Sequence, residues 1–195
     1  MLDLINMGFN SLDKESFMNI YPVLVRPLLE YCVQVWSPYK QMHISLIERV
    51  QERATRLVSS MRNLSYEERL RRLGLTTLVE RRYRGDMIET YKILTGKERI
   101  DPERYFRVAN ERGDPELTRG YRLINSSRQQ KVPNTARRRY TFSQRVLVPW
   151  NRLSRDEVSA PKTTTFKARF DKRETERRAQ REERDGRAYN HLYHL

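Results

Sequence analysis

Between Ser65 and Gly96 the chain punctuates itself twice, and that spacing constrains its fold more than any other feature. Ser65 stands three residues before Glu68, the pattern in which a hydroxyl and a carboxylate cap each other's backbone at a helix start; Leu70 and Leu73 follow, then Gly74. Thr77 and Glu80 repeat the pattern, and Val79, Tyr83, Met87, Ile88, Tyr91 and Leu94 then recur on one helical face up to Gly96. A glycine just past each apolar run supplies the left-handed residue on which helices commonly end. The spacing predicts a short helix, a turn and a long helix. Upstream, Leu46, Ile47, Val50, Ala54, Leu57 and Val58 repeat at three or four, which predicts an amphipathic helix from Ile44 to Val58. From Ser16 to Cys32 apolar residues are frequent, and Pro22 and Pro27 predict a kinked helix or two short pieces there.

After Gly96 the pattern weakens. Asp101, Pro102, Gly113, Asp114, Pro115 and Gly120 exclude a long helix, and RGYRLI and RRRYTF read as short strands or extended arms. Helical spacing returns with Phe142, Val146, Trp150 and Leu153, and Pro149 should bend or restart that helix. A last helix is expected from near Thr164, burying Phe166 and Phe170 and running into a charged tail with Glu174 to Arg178 and Glu183 to Arg187 pairs. The fold class is therefore mainly α: a helical bundle-like module with an extended or short β segment and a charged C-terminal helix or tail. The expected organisation is an α-helical module over residues 1–98, a basic connector over 99–141, a small helical element over 142–172 and a charged tail over 173–195.

Charge narrows the function. The formal net charge is +14 and the isoelectric point about 10.2, which favours a polyanionic partner because phosphate contacts release counterions. With 37% hydrophobic and 33% charged residues, a core is expected only where apolar residues cluster. There is no apolar run of about 18 residues and no signal-peptide pattern, so an intracellular protein without a membrane partner is expected. The single cysteine, Cys32, cannot form an internal disulfide.

The excess charge is concentrated. Between Glu116 and Asp156 there is no acidic residue, while ten basic ones occur: Arg119, Arg122, Arg128, Lys131, Arg137, Arg138, Arg139, Arg145, Arg152 and Arg155. Ordinary surfaces mix signs, so this stretch is the best electrostatic footprint in the chain. Tyr140 and Phe142 beside the three arginines add aromatic faces on which a base can stack. The candidate nucleic-acid-binding residues are Arg119, Arg122, Arg128, Lys131, Arg137, Arg138, Arg139, Tyr140 and Arg145. The competing reading is a basic connector whose aromatics begin the core of the next helix. RRR also fits a nuclear localisation patch.

Other arginines fit structural roles. Arg49, Arg53 and Arg56 share a helix face that could track a phosphate backbone but reads more readily as solvated, with Glu52 pairing Arg56. Glu67 to Arg71 and Glu68 to Arg72 read as surface pairs. Trp36 and Trp150, with Tyr31 and Tyr39, read as core anchors, and Cys32 as a small buried residue. His43 reads as a helix-start residue. His191 and His194 lack the further ligands a metal site needs.

Several dense blocks carry a resemblance: VRPLLEYCVQVWSPY, LIERVQERATRLV and LSYEERLRRLGLTTLVERRYRGDMIETYKIL, followed by FSQRVLVPWNRL and APKTTTFKARFDK. Together they resemble the thumb and post-polymerase region of reverse transcriptases of non-LTR retrotransposons, the jockey and CR1-like LINE elements, over about residues 20–172. The chain departs from that pattern at Pro149 and at Ser154, where the family tends to have proline. The resemblance implies that some of Arg81, Arg82 and Arg84 bridge helices or touch template. It also implies a catalytic core upstream, where clustered carboxylates would hold Mg²⁺. The eight aspartates here include no adjacent pair, so no polymerase site can be read in this chain.

The resemblance thus implies a nucleic-acid-binding fragment that holds template RNA and nascent DNA beside a polymerase core. It would not be an enzyme as it stands, would carry no cofactor of its own, and would work in the nucleus. Two other readings stay open on the same residues: a helical protein-interaction module, and a non-functional relic of a decayed element.

Overall fold

The computed structural model describes residues 12–108, 123–124 and 136–192, and the described chain is mainly helical. It divides into two units, one of Met1–Met87 with Asn134–Arg145, the other of Ile88–Pro133 with Val146–Leu195.

The first unit opens with α1 (Lys14–Ile20), whose start is capped by the Asp13 carboxylate accepting from the Ser16 amide at 2.7 Å. The helix then widens into a π segment, Tyr21–Val25, before resuming as α2 (Arg26–Glu30). Pro22 lies at the start of this adjustment and Pro27 just after it, and the Arg26 amide reaches back five residues to the Tyr21 carbonyl. The expected kink is therefore realised as a π-bulge, one of the few ways a helix absorbs proline. Cys32 follows at φ 54°, the only non-glycine with positive φ among the described residues, and turns the chain into α3 (Val33–Trp36). The expectation of a buried Cys32 is overturned: the thiol is exposed, because the left-handed turn faces it outward.

Next come α4 (Gln41–Thr55), α5 (Tyr66–Leu73) and α6 (Leu78–Leu94). The capping pattern at Ser65 holds, its hydroxyl accepting from the Glu68 amide, and Gly74 ends α5 at φ 64° with the Leu75 amide bonded to the Leu70 carbonyl. Thr77 and Glu80 cap each other's backbone at the start of α6. Met87, Ile88 and Tyr91 are buried on α6 as expected, and the inner face departs from the expected one at its two ends. Leu78, not Val79, is buried, and Ile93 replaces Leu94. Arg82, Asp86 and Thr90 are buried with them, so polar residues punctuate the inner row. The unit's core gathers Leu12, Phe17, Tyr21, Val25, Ala54, Val58, Met61 and Leu70. Leu12 is tied in by backbone bonds to Leu57 and Ser59.

A polar chain crosses this core. Tyr21 donates to Gln51 Oε1 at 2.6 Å, and Gln51 donates to the Tyr66 hydroxyl and the Thr76 carbonyl, both at 2.9 Å. Tyr66 in turn donates to Glu48, whose carboxylate also accepts from the Leu78 amide. Burial pushes both tyrosine hydroxyls well above their ordinary pKa, so they stay protonated donors.

In the second unit β1 (Arg107–Val108) and β2 (Leu123–Ile124) form a two-residue antiparallel ladder. RGYRLI thus contributes a strand of two residues. RRRYTF does not: α7 (Ala136–Arg139) and α8 (Phe142–Arg145) take it up as short helices in the first unit. The chain restarts after Val146 as α9 (Leu147–Trp150), with Pro149 within its first turn, where a missing N–H leaves no helical bond unmade. Ser154 then caps α10 (Arg155–Val158) in a reciprocal box with Glu157. The position where the resembling pattern has proline is used here as a helix start.

Helix α11 (Thr163–Leu192) buries Phe166 and Phe170 as expected and runs without a break across the 172/173 boundary placed between element and tail. In that tail Glu174 meets Arg173 and Arg177. Phe166 stacks on Tyr91 at 4.4 Å, packs beside Trp150, and Tyr91 donates to the Ala160 carbonyl. Trp150 is a core anchor, as expected. Asn151 beside it bonds both backbone groups of Leu123 at 2.8 Å, completing the edge of β2 with a side-chain amide. No helix among the described residues is long and apolar enough to cross a membrane.

Candidate nucleic-acid interface

Of the nine candidate residues, Arg119, Arg122, Arg128 and Lys131 lie outside the described residues, as does the side chain of Arg137 on α7. Arg138 is half-buried and Arg139 exposed. Tyr140 follows α7 in a turn and remains 45% exposed. Its ring stacks on Tyr39, centroids 4.7 Å apart and planes within 6°. The reading of Tyr39 as a core anchor is overturned, since it is 38% exposed. Tyr31 and Trp36 are exposed as well, the Trp36 indole donating to the Tyr31 carbonyl at 2.5 Å. These side chains surround the left-handed turn at Cys32 and the short helix α3 (Val33–Trp36), where only Val33 is buried.

Phe142 does not share the surface role given to it beside Tyr140, because it is buried. Arg145 is also corrected. Its guanidinium holds Asp86 at 2.8 Å through two nitrogens, donates to the carbonyls of Val33 and Tyr140, and lies over the Phe142 ring. Its guanidinium is thereby committed to bonds within the first unit. Burial raises the Asp86 pKa above the ordinary carboxylate value, against the lowering pull of Arg145 and Arg82.

The site that remains is compact. Each of the stacked tyrosines has an exposed cation as its chain neighbour, Lys40 after Tyr39 and Arg139 before Tyr140. The Arg145 bond to the Tyr140 carbonyl fixes the backbone from which the ring projects. Such an arrangement offers flat aromatic surface flanked by positive charge, the chemistry that receives a nucleobase and its phosphates.

The other arginine clusters are drawn into structure. Arg81 makes a two-pronged pair with Glu30 at 2.7 and 2.8 Å, bridging α6 to α2, the first of the two roles expected among Arg81, Arg82 and Arg84. Arg82 is buried, and burial lowers its pKa. Arg69 is buried on α5 and donates to Thr55 and to the Leu64 carbonyl. Arg56 pairs with Glu52 as expected. Glu68 takes both Arg71 and Arg72, so the expected Glu68 to Arg72 pair is present. His43 sits in the first turn of α4; the side chain of His191 and all of His194 lie outside the described residues. Tyr39 is the member of this aromatic surface that the sequence hid, because its partner lies on a distant segment and the adjacent Pro38 signals only a break.

Fold and site together define a mainly helical module with an exposed aromatic and basic surface. Compared with protein-family models, with curated proteins and with solved structures, the chain finds no match in any of the three.

Proposed function

We propose that this chain is a nucleic-acid-binding helical module of the kind that follows the polymerase core in non-LTR retrotransposon reverse transcriptases. In this reading it holds template RNA and nascent DNA beside a polymerase core, works in the nucleus, and leaves Mg²⁺ chemistry to that core. The carrying observation is the acid-free basic stretch that includes Arg139, together with the exposed Tyr39–Tyr140 stack. The resemblance of the sequence blocks quoted above supports the choice of family.

The test is a salt titration of the purified protein binding single-stranded RNA and duplex DNA of equal length. Replacing Arg137, Arg138 and Arg139 with Gln is expected to weaken binding and flatten the slope by about 0.7 log units per log of salt for each single-strand phosphate no longer neutralised. An unchanged slope would falsify the reading.

A second reading rests on a different observation. Val23, Leu24, Leu28, Val35, Met42 and Leu46 are all at least half exposed, an unusual density of large apolar side chains over a short segment. This favours a protein-docking role for the first unit. Pull-down of a partner that survives nuclease treatment supports it, and a partner that disappears on nuclease treatment counts against it.

A further inference from the structure

We infer that the Tyr39–Tyr140 stack is a platform for an unpaired base, so that this site prefers single-stranded nucleic acid to duplex. The inference rests on the nucleic-acid reading above and adds its substrate class.

Two tyrosines stacked in parallel cover one ring face each, and the pair still leaves Tyr39 38% and Tyr140 45% exposed. A pair serving only to fill a core would be buried like Tyr21 and Phe17, which stack at 5.1 Å with 2% exposure each. The exposed pair is instead open to extension by a third flat ring. An unpaired base has a free π-face to add, whereas a base within a duplex has both faces covered by its neighbours.

Charge agrees with that occupant. Lys40 and Arg139, both exposed, adjoin the two tyrosines in the chain, so positive charge lies on both segments that build the stack. Neutral apolar partners would gain nothing from this placement. The platform is also held in advance: Arg145 binds the Tyr140 carbonyl at 3.2 Å and is itself fixed on Asp86 and the Val33 carbonyl. A ring whose backbone is already fixed loses less conformational freedom when a ligand arrives.

The experiment uses the full chain with fluorescently labelled probes: a mixed-sequence oligoribonucleotide, its deoxy counterpart, and the blunt duplex of the same length. Either single strand, RNA or DNA, is expected to bind more tightly than the duplex. Tyr140→Leu and Tyr39→Leu should each weaken single-strand binding by roughly five- to a hundredfold, the range for removing one base–aromatic stack. Their salt slope should stay that of the wild type, because no cationic side chain is removed, and Tyr140→Phe should bind like the wild type. Arg139→Gln should show the opposite signature, a shallower slope.

Equal affinity for duplex and single strand, or leucine variants that bind like the wild type, would overturn the inference while leaving the general nucleic-acid reading in place. Absence of binding to all three probes by the wild type would remove that reading, and the platform with it. A leucine variant that loses its cooperative melt is replaced by Tyr140→Ser, judged by the same two signatures.

Discussion

Arg145 grips Asp86 with two guanidinium nitrogens, each at 2.8 Å, across 59 positions of sequence. The same side chain donates to the carbonyls of Val33 at 3.0 Å and Tyr140 at 3.2 Å, so one residue ties three segments of the first unit. Both partners are largely shielded, the Asp86 side chain 8% exposed and that of Arg145 17%. Removing one partner leaves the other charge buried and unmatched, which costs more than the pair's net attraction contributes. Arg145→Met is expected to lower stability by about 3 kcal/mol in urea unfolding. Arg145→Met with Asp86→Leu should recover part of that loss; a double variant weaker than the single one would show that desolvation is not the dominant cost.

The buried chain from Tyr21 through Gln51 to Tyr66 and Glu48 makes a second prediction. Gln51 is fully buried and serves three partners, so Gln51→Leu strands the Tyr21 hydroxyl and the Thr76 carbonyl without bonds. Unsatisfied buried groups cost about 1–3 kcal/mol each, and the variant should lose at least about 2 kcal/mol although it is more apolar. Chemical denaturation measures it. A stability equal to the wild type would mean that the hydroxyl and carbonyl find new partners.

Acid should weaken α5. Hydrogen bonds from Arg71 and Arg72 hold the Glu68 carboxyl down at about 2, below its ordinary value of 4.5. A lowered folded-state pKa contributes stability that is present above the unfolded value and is lost as pH falls through the folded one. Glu68→Gln should therefore narrow the stability difference between neutral pH and pH near 2, with the change confined below pH about 4.5. Asp86 acts with the opposite sign, since its raised pKa favours the folded state in acid and loses that contribution as pH rises. Thermal melts of Glu68→Gln and wild type across this range decide the matter; parallel curves would sink the assignment.

Cys32 offers a gain. Its left-handed backbone at φ 54° suits glycine and strains any side chain with a Cβ, while its thiol is exposed and packs little. Cys32→Gly should raise stability by about 1 kcal/mol. The wild-type thiol should react with a colorimetric reagent without unfolding. A slow reaction limited by unfolding would contradict the exposed turn.

Much of the helical framework was legible in the chain. Ser65 with Glu68, Thr77 with Glu80, and the two glycines act within one turn of themselves, so their consequences are local and survive any tertiary arrangement. Phe166, Phe170 and Trp150 were legible because large apolar residues at helical spacing have few alternatives to burial. The middle of the inner face of α6, Met87, Ile88 and Tyr91, was legible, but its ends were misplaced by one residue. Arg82 and Asp86 belong to its buried row, and pattern reading assigns charged residues to the outside. RRRYTF misled as well: its arginines and Phe142 enter short helices, with Tyr140 in the turn between them, because Phe142 finds a buried place and the following Arg145 finds Asp86.

The sequence by itself determined the mainly helical class, the helix ends that have caps, and the concentration of positive charge between Glu116 and Asp156. Only the tertiary structure decided which positive charges are spent. Arg69, Arg81 and Arg145 are drawn into internal bonds while Arg139 stays exposed, and Tyr39 meets Tyr140 from a distant segment. The physical reason is range. Capping and periodicity are set by neighbours within a few residues, whereas the fate of a charge or an aromatic ring depends on the partner and the burial that folding brings to it.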